Sequence, residues 1–78
     1  MRAKLFIESI PQHSTCETLK MRAVAKSSTY PADGSDEDNT YAKFSPSATL
    51  ELTIANPALI GQFKVGEKHY VDFTPAEK

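Results

Sequence analysis

The chain has 78 residues, 40% of them hydrophobic and 24% charged, with a formal net charge of −1. That length allows one domain, residues 1–78, and the balance of apolar to charged residues excludes an intrinsically disordered chain. No apolar run approaches the roughly 18 residues of a membrane-crossing helix, and no apolar stretch near the N-terminus runs into small cleavage residues, so the expectation is an unexported chain. The single Cys16 cannot form an intrachain disulfide, which fits a reducing cytoplasm.

In chain order, Ala3, Leu5 and Ile7 alternate with Lys4, Phe6 and Glu8, the period of two of a strand with one buried and one wet face. Pro11 ends it. After a polar turn, Leu19, Met21, Ala23 and Ala25 alternate with Lys20, Arg22, Val24 and Lys26, predicting a second strand antiparallel to the first. Residues 27–40, SSTYPADGSDEDNT, combine Pro31, Asp33-Gly34, three serines and four acids, and read as an exposed acidic loop whose shortening costs little stability. Tyr41 to Phe44 is expected to open a third strand, interrupted at Ser45-Pro46-Ser47 and resuming at Ala48.

The strongest pattern follows. Leu50, Leu52 and Ile54 alternate with Thr49, Glu51 and Thr53, which predicts a strand. Asn56 is placed to cap and Pro57 to start one short helical turn over Pro57–Ile60, ended by Gly61. Gly66-Glu67 is expected to reverse the chain into a last strand, where His69, Val71 and Phe73 alternate with Tyr70 and Asp72. Leu5, Ile7, Leu19, Met21, Leu50, Leu52, Ile54, Val71 and Phe73 are the expected core. The fold class is therefore mainly β: a small antiparallel four- to five-stranded barrel or sandwich, of OB or SH3-like size, with one short helical turn.

Asp33, Asp36, Glu37 and Asp38 all lie in the acidic loop, leaving a surplus of three positive charges on the rest of the chain. Lys4, Phe6, Lys20, Arg22 and Lys26 fall on the wet faces of the first two strands. A basic sheet face with an interleaved aromatic is how small barrels hold phosphates and stack bases, so these five residues are the candidate nucleic-acid or nucleotide site. The opposing reading is that Lys and Arg decorate a solvated sheet. The acidic loop lacks the alternating acids, Gly and terminal Glu of an EF-hand, and adjacent acids repel one another, so no metal is expected there. His13 and Cys16 lack the further ligands of a zinc site and the orienting partners of a thiol nucleophile. No P-loop, dinucleotide-binding, HExxH or GxSxG pattern occurs in the chain. The expectation is a protein that is not an enzyme and needs no cofactor.

The run AKFSPSATLELTIANPALIGQF and the ending VGEKHYVDFTPAE resemble a group of small proteins encoded by tailed phages and prophages, in which a segment like "KFTPSG-LELTI-NPA" precedes one like "PGK-YYVDFTPAE". The resemblance covers about the last 37 residues; the first 40 are loose by comparison. It implies a phage-derived protein in the host cytoplasm and carries no mechanism. The functional expectation is a non-enzymatic phage accessory protein that binds a host protein, a nucleotide or single-stranded nucleic acid, with counter-defence or single-stranded DNA binding as its role. The alternative is a homo-oligomeric virion or assembly component.

Overall fold

The computed structural model describes residues 1–26 and 29–77. Four strands, β1 (Arg2–Ser9), β2 (Glu17–Ala23), β3 (Thr49–Ile54) and β4 (Lys68–Asp72), form one sheet in the order β3-β2-β1-β4. Every pairing is antiparallel. The sheet curls into a half-barrel, and no helix occurs among the described residues. The fold is thus the mainly β, small barrel-like one that the alternations predict.

Register decides which side chains share a face, because residues directly opposite in antiparallel strands point the same way. Ile7 lies opposite Met21 and Met21 opposite Leu50. Leu5 sits between Ala23 and His69, and Ala3 beside Val71. One face of the sheet is therefore apolar. Ala3, Leu5, Ile7, Leu19, Met21 and Ile54 are buried there, and Leu50, Val71, Ile60 and Phe63 pack against them half-buried. Burying one such side chain contributes about 1.5 to 3 kcal/mol. Two of the expected core residues differ. Leu52 and Phe73 point to this face but are 48% and 54% exposed, because one lies on an edge strand and the other just past one, with no second layer above them.

An extra residue, Glu8, interrupts the β1–β2 register between Ile7 and Ser9, a bulge of the kind that increases local twist. The hairpin loop closes through Thr18 N–H to the Pro11 carbonyl (3.0 Å) and His13 N–H to the Cys16 carbonyl (2.9 Å). Glu17 at the start of β2 is 2% exposed. Its carboxylate accepts from Gln12 Nε2 (2.9 Å) and from the Gly61 backbone N–H (3.3 Å), so one buried acid ties the first hairpin to the distant turn at Gly61.

That turn differs from the helix expected over Pro57–Ile60. Leu59 N–H donates to the Asn56 carbonyl (2.9 Å) and Gln62 N–H to the Leu59 carbonyl (3.2 Å), giving successive tight turns. Too few residues lie between Pro57 and Gly61 to repay the cost of nucleating a helix. The local chemistry is as expected: Asn56 Oδ1 accepts from Ala58 N–H at 3.1 Å and Gly61 has φ +84°. The turn folds Ile60 and Phe63 onto the apolar face, while Leu59 stays 43% exposed.

The 27–40 segment needs a correction, apart from Ser27 and Ser28, which lie outside the described residues. Most of it is exposed, but Gly34, Asp36 and Asn39 are buried. Where β2 leaves β1, the Asn39 carboxamide wedges in: its Oδ1 accepts from Lys4 N–H and its Nδ2 donates to the Val24 carbonyl, both at 2.9 Å. Thr40 continues the substitution, donating its N–H to the Arg2 carbonyl (2.9 Å) and accepting Arg2 N–H on Oγ1 (2.8 Å). Asn39 and Thr40 thus stand in for the missing end of β2. Tyr41 to Phe44 is not strand. Phe44 adopts φ +63°, which an extended strand does not accept, and its ring packs against Tyr30 with centroids 6.0 Å apart.

Candidate binding surfaces

The two faces of the sheet differ in chemistry. On the polar face Phe6 lies between Arg22 of β2 and Lys68 of β4, and Lys4 lies beside Tyr70. The structure brings Lys4, Phe6, Lys20 and Arg22 together on this face. Lys26 lies beyond the end of β2, where its backbone N–H donates to the Tyr30 hydroxyl at 3.3 Å. Arg2, Lys68 and Tyr70 join the face from β1 and β4. The alternation set Tyr70 opposite Val71 and Phe73 but did not place Arg2 or Lys68, and the β1–β4 pairing puts all three on the face of Lys4 and Phe6.

Acids partner most of these cations. Arg2 Nε lies 2.7 Å from Asp72, Arg22 Nε 2.9 Å from Glu8, Lys4 Nζ 3.5 Å from Asp38 and Lys20 Nζ 3.7 Å from Glu51. The Arg2 hydrogen bond holds the Asp72 carboxyl below its ordinary pKa. Tyr70 donates its hydroxyl to Asp38 (2.9 Å), which raises its pKa, and its ring lies 4.7 Å beneath the Arg2 guanidinium. Pairs this exposed are individually weak. Together they set an acid beside four of the five cations, Arg2, Lys4, Lys20, Arg22 and Lys68, that the face carries, which reduces the positive charge it offers to a phosphate backbone. Asp38 comes from the loop whose acids the sequence set apart from this face, and it lands on it.

The apolar face is open at one end. A cavity of about 190 Å³ lies between Val71 and Phe73 on one side and Ala48 and Leu50 on the other, over Ala3 and Leu5. Met1, Tyr41, Ser47 and Thr49 complete its rim, and no charged side chain lines it. Burial and the nearby Asp36 push the Tyr41 hydroxyl above its ordinary pKa. Two larger, more open hollows lie elsewhere, one of about 470 Å³ bounded by Ser35 to Lys43 and one of about 330 Å³ beside Glu8, Lys20, Arg22 and Glu51.

His13 and Cys16 do not form a reactive pair. His13 Nε2 lies 3.4 Å from Thr18 Oγ1, and Cys16 is a half-buried free thiol. His69 is half-buried, with Nε2 3.1 Å from Glu67 and its ring edge-on to Phe63. Among the described residues no three His, Cys, Asp or Glu side chains converge as a metal site. Among the described residues no helix is long and apolar enough to cross a membrane. No protein-family model, no curated protein and no solved structure matches the chain.

Proposed function

We propose that this chain is a non-enzymatic accessory protein that acts by binding another protein, with the open end of its apolar face as the binding surface. The observation that carries this reading is the cavity between Val71, Phe73, Ala48 and Leu50. Its volume, about 190 Å³, suits one large side chain: an apolar cavity of roughly 150 Å³ takes up benzene, whereas small-molecule pockets begin near 300 Å³. An uncharged lining favours an aromatic or aliphatic anchor from a polypeptide over a nucleotide, whose phosphates need cations. The resemblance of the C-terminal half to tailed-phage proteins supports a phage accessory role in the host cytoplasm, with a host protein as partner.

The test compares wild type with Phe73→Asp and with the Lys20→Gln/Arg22→Gln double variant. Phe73 is exposed, so its replacement leaves the fold intact. Affinity capture from a bacterial host lysate is expected to retain one defined protein on wild type and on the double variant, and to lose it on Phe73→Asp. Titration with single-stranded DNA at low salt is expected to show no micromolar binding. DNA binding that vanishes in the double variant, with a log-log salt slope of about 0.7 per phosphate, would replace this reading with the nucleic-acid one.

A further inference from the structure

The edge of the sheet at β3 points to a second partner surface, one that shares Thr49 and Leu50 with the cavity wall but rests on the outward backbone groups of the strand and not on the proposed role of the cavity. Ala23 N–H donates to the Ala48 carbonyl at 3.0 Å, which sets the alternation along β2 and β3. Ala48, Leu50, Leu52 and Ile54 direct their backbone groups to β2, and Thr49, Glu51 and Thr53 direct theirs outward. Among the described residues nothing pairs with that outward row. Sheet edges are ordinarily blunted by charges, proline, bulges or a covering loop. β3 runs six residues in unbroken register with β2, with Glu51 as its one charge and no proline. β4, the other edge, carries Lys68 and Asp72 within five residues. Leu52 stands 48% exposed on β3.

We propose that two copies of this chain pair antiparallel through β3, with Leu52 on the two-fold axis. The area argues for a second copy. The chain exposes 5657 Å², while a compact monomer of its 8.6 kDa exposes about 4,700 Å². The excess of roughly 950 Å² is close to the ~800 Å² that each partner buries in a stable complex. The radius of gyration, 14.6 Å, likewise exceeds the ~11.5 Å of a compact domain of this length.

The strand is also complementary to itself. An axis between Glu51 and Leu52 is excluded, because it would set apolar against polar faces. An axis on Glu51 would oppose two like charges. With the axis on Leu52, the two leucines meet as a close non-hydrogen-bonded pair, Leu50 faces Ile54 of the second copy, and Glu51 faces Thr53. The outward backbone groups of Glu51 and Thr53 then bond to each other across the axis, and the two half-barrels form one eight-stranded sheet with a continuous apolar stripe.

Sedimentation equilibrium over a concentration series tests the proposal, with far-ultraviolet circular dichroism confirming that each variant is folded. Wild type is expected to reach twice the chain mass and no more. Thr53→Glu places an acid opposite Glu51 at both ends of the pairing and is expected to raise the dimer Kd by about tenfold or more. Thr53→Lys places a cation there and is expected to leave the Kd unchanged or lower it. Thr53→Pro removes an outward N–H without touching a β2–β3 backbone hydrogen bond, losing within the chain only the Thr18–Thr53 hydroxyl contact at 3.3 Å, and is expected to be monomeric. A wild-type monomer at millimolar concentration overturns the proposal. So does an open series of larger assemblies, or a dimer indifferent to both Thr53→Glu and Thr53→Pro.

Discussion

Asn39 is the residue on which the irregular part of the molecule turns. It is fully buried, and its carboxamide satisfies one donor on β1, one acceptor after β2 and, through Nδ2 at 3.2 Å, the Asp36 carboxylate. Asn39→Ala is expected to lower unfolding free energy by about 2 to 4 kcal/mol, since Lys4 N–H and the Val24 carbonyl lose their partner. Asn39→Asp is expected to be no milder, because a second carboxylate would then face both Asp36 and the Val24 carbonyl; urea denaturation checks both. The Arg2–Asp72 pair gives a gentler test. A carboxyl whose folded pKa lies below its unfolded value adds stability above the unfolded pKa and loses it as pH falls through the folded one. Both side chains are exposed, so the titration itself is the readout: in Arg2→Gln the Asp72 midpoint, followed by NMR, is expected to move up.

Among elements, the 29–44 segment behaves as part of the sheet. Asp36 Oδ1 accepts from Asp38 N–H (3.0 Å), positioning Asp38 over Lys4 and Tyr70 and Asn39 in its wedge. Deleting Gly34 to Asp38 is therefore expected to cost several kcal/mol, far above the small loop-closure term that length alone would change. Little loss of stability on deletion would show that the wedge forms without its support. Gly34→Ala acts in the same direction, as the backbone there has φ +74° and an added Cβ would press into the Phe44 ring. On the strands, burial sets the order. Ile7→Ala, at a fully buried position, is expected to cost about 2 to 5 kcal/mol. Leu52→Ala is expected to cost under about 1.5 kcal/mol, measured at concentrations where the chain does not self-associate.

At the scale of the whole molecule, the order β3-β2-β1-β4 makes β1 and β2 the interior pair and exposes both other strands along one side. Hydrogen exchange is expected to leave the amides between β1 and β2, those of Phe6 and Arg22, protected longest, with the outward amides of Thr49, Glu51 and Thr53 on β3 among the fastest within the strands. Equal protection along β3 at high protein concentration, lost on dilution, would accompany pairing of two copies. A single curled layer buries only one face, and part of that face stays uncovered at Leu52 and Phe73. Both proposed contacts use what this architecture leaves open, one at the cavity and one at the edge.

The alternation of apolar and polar residues determined the strands, their inward and outward sides and most of the core, because period-two patterning is a local consequence of extended backbone. Turn chemistry at Asn56, Gly61 and Gly66 was equally local, since a capping oxygen or a left-handed φ is a property of one or two residues. Tertiary structure decided the rest. Nothing in SDEDNT shows that Asn39 will replace the end of β2, because its partners, Lys4 and Val24, lie 35 and 15 residues away. Nor does the basic pattern of Lys4, Lys20 and Arg22 reveal its neutralisation by Asp38, Glu51 and Glu8. Whether Leu52 or Phe73 is covered depends on strand order and on the number of layers, and these follow from long-range pairing that no local pattern encodes.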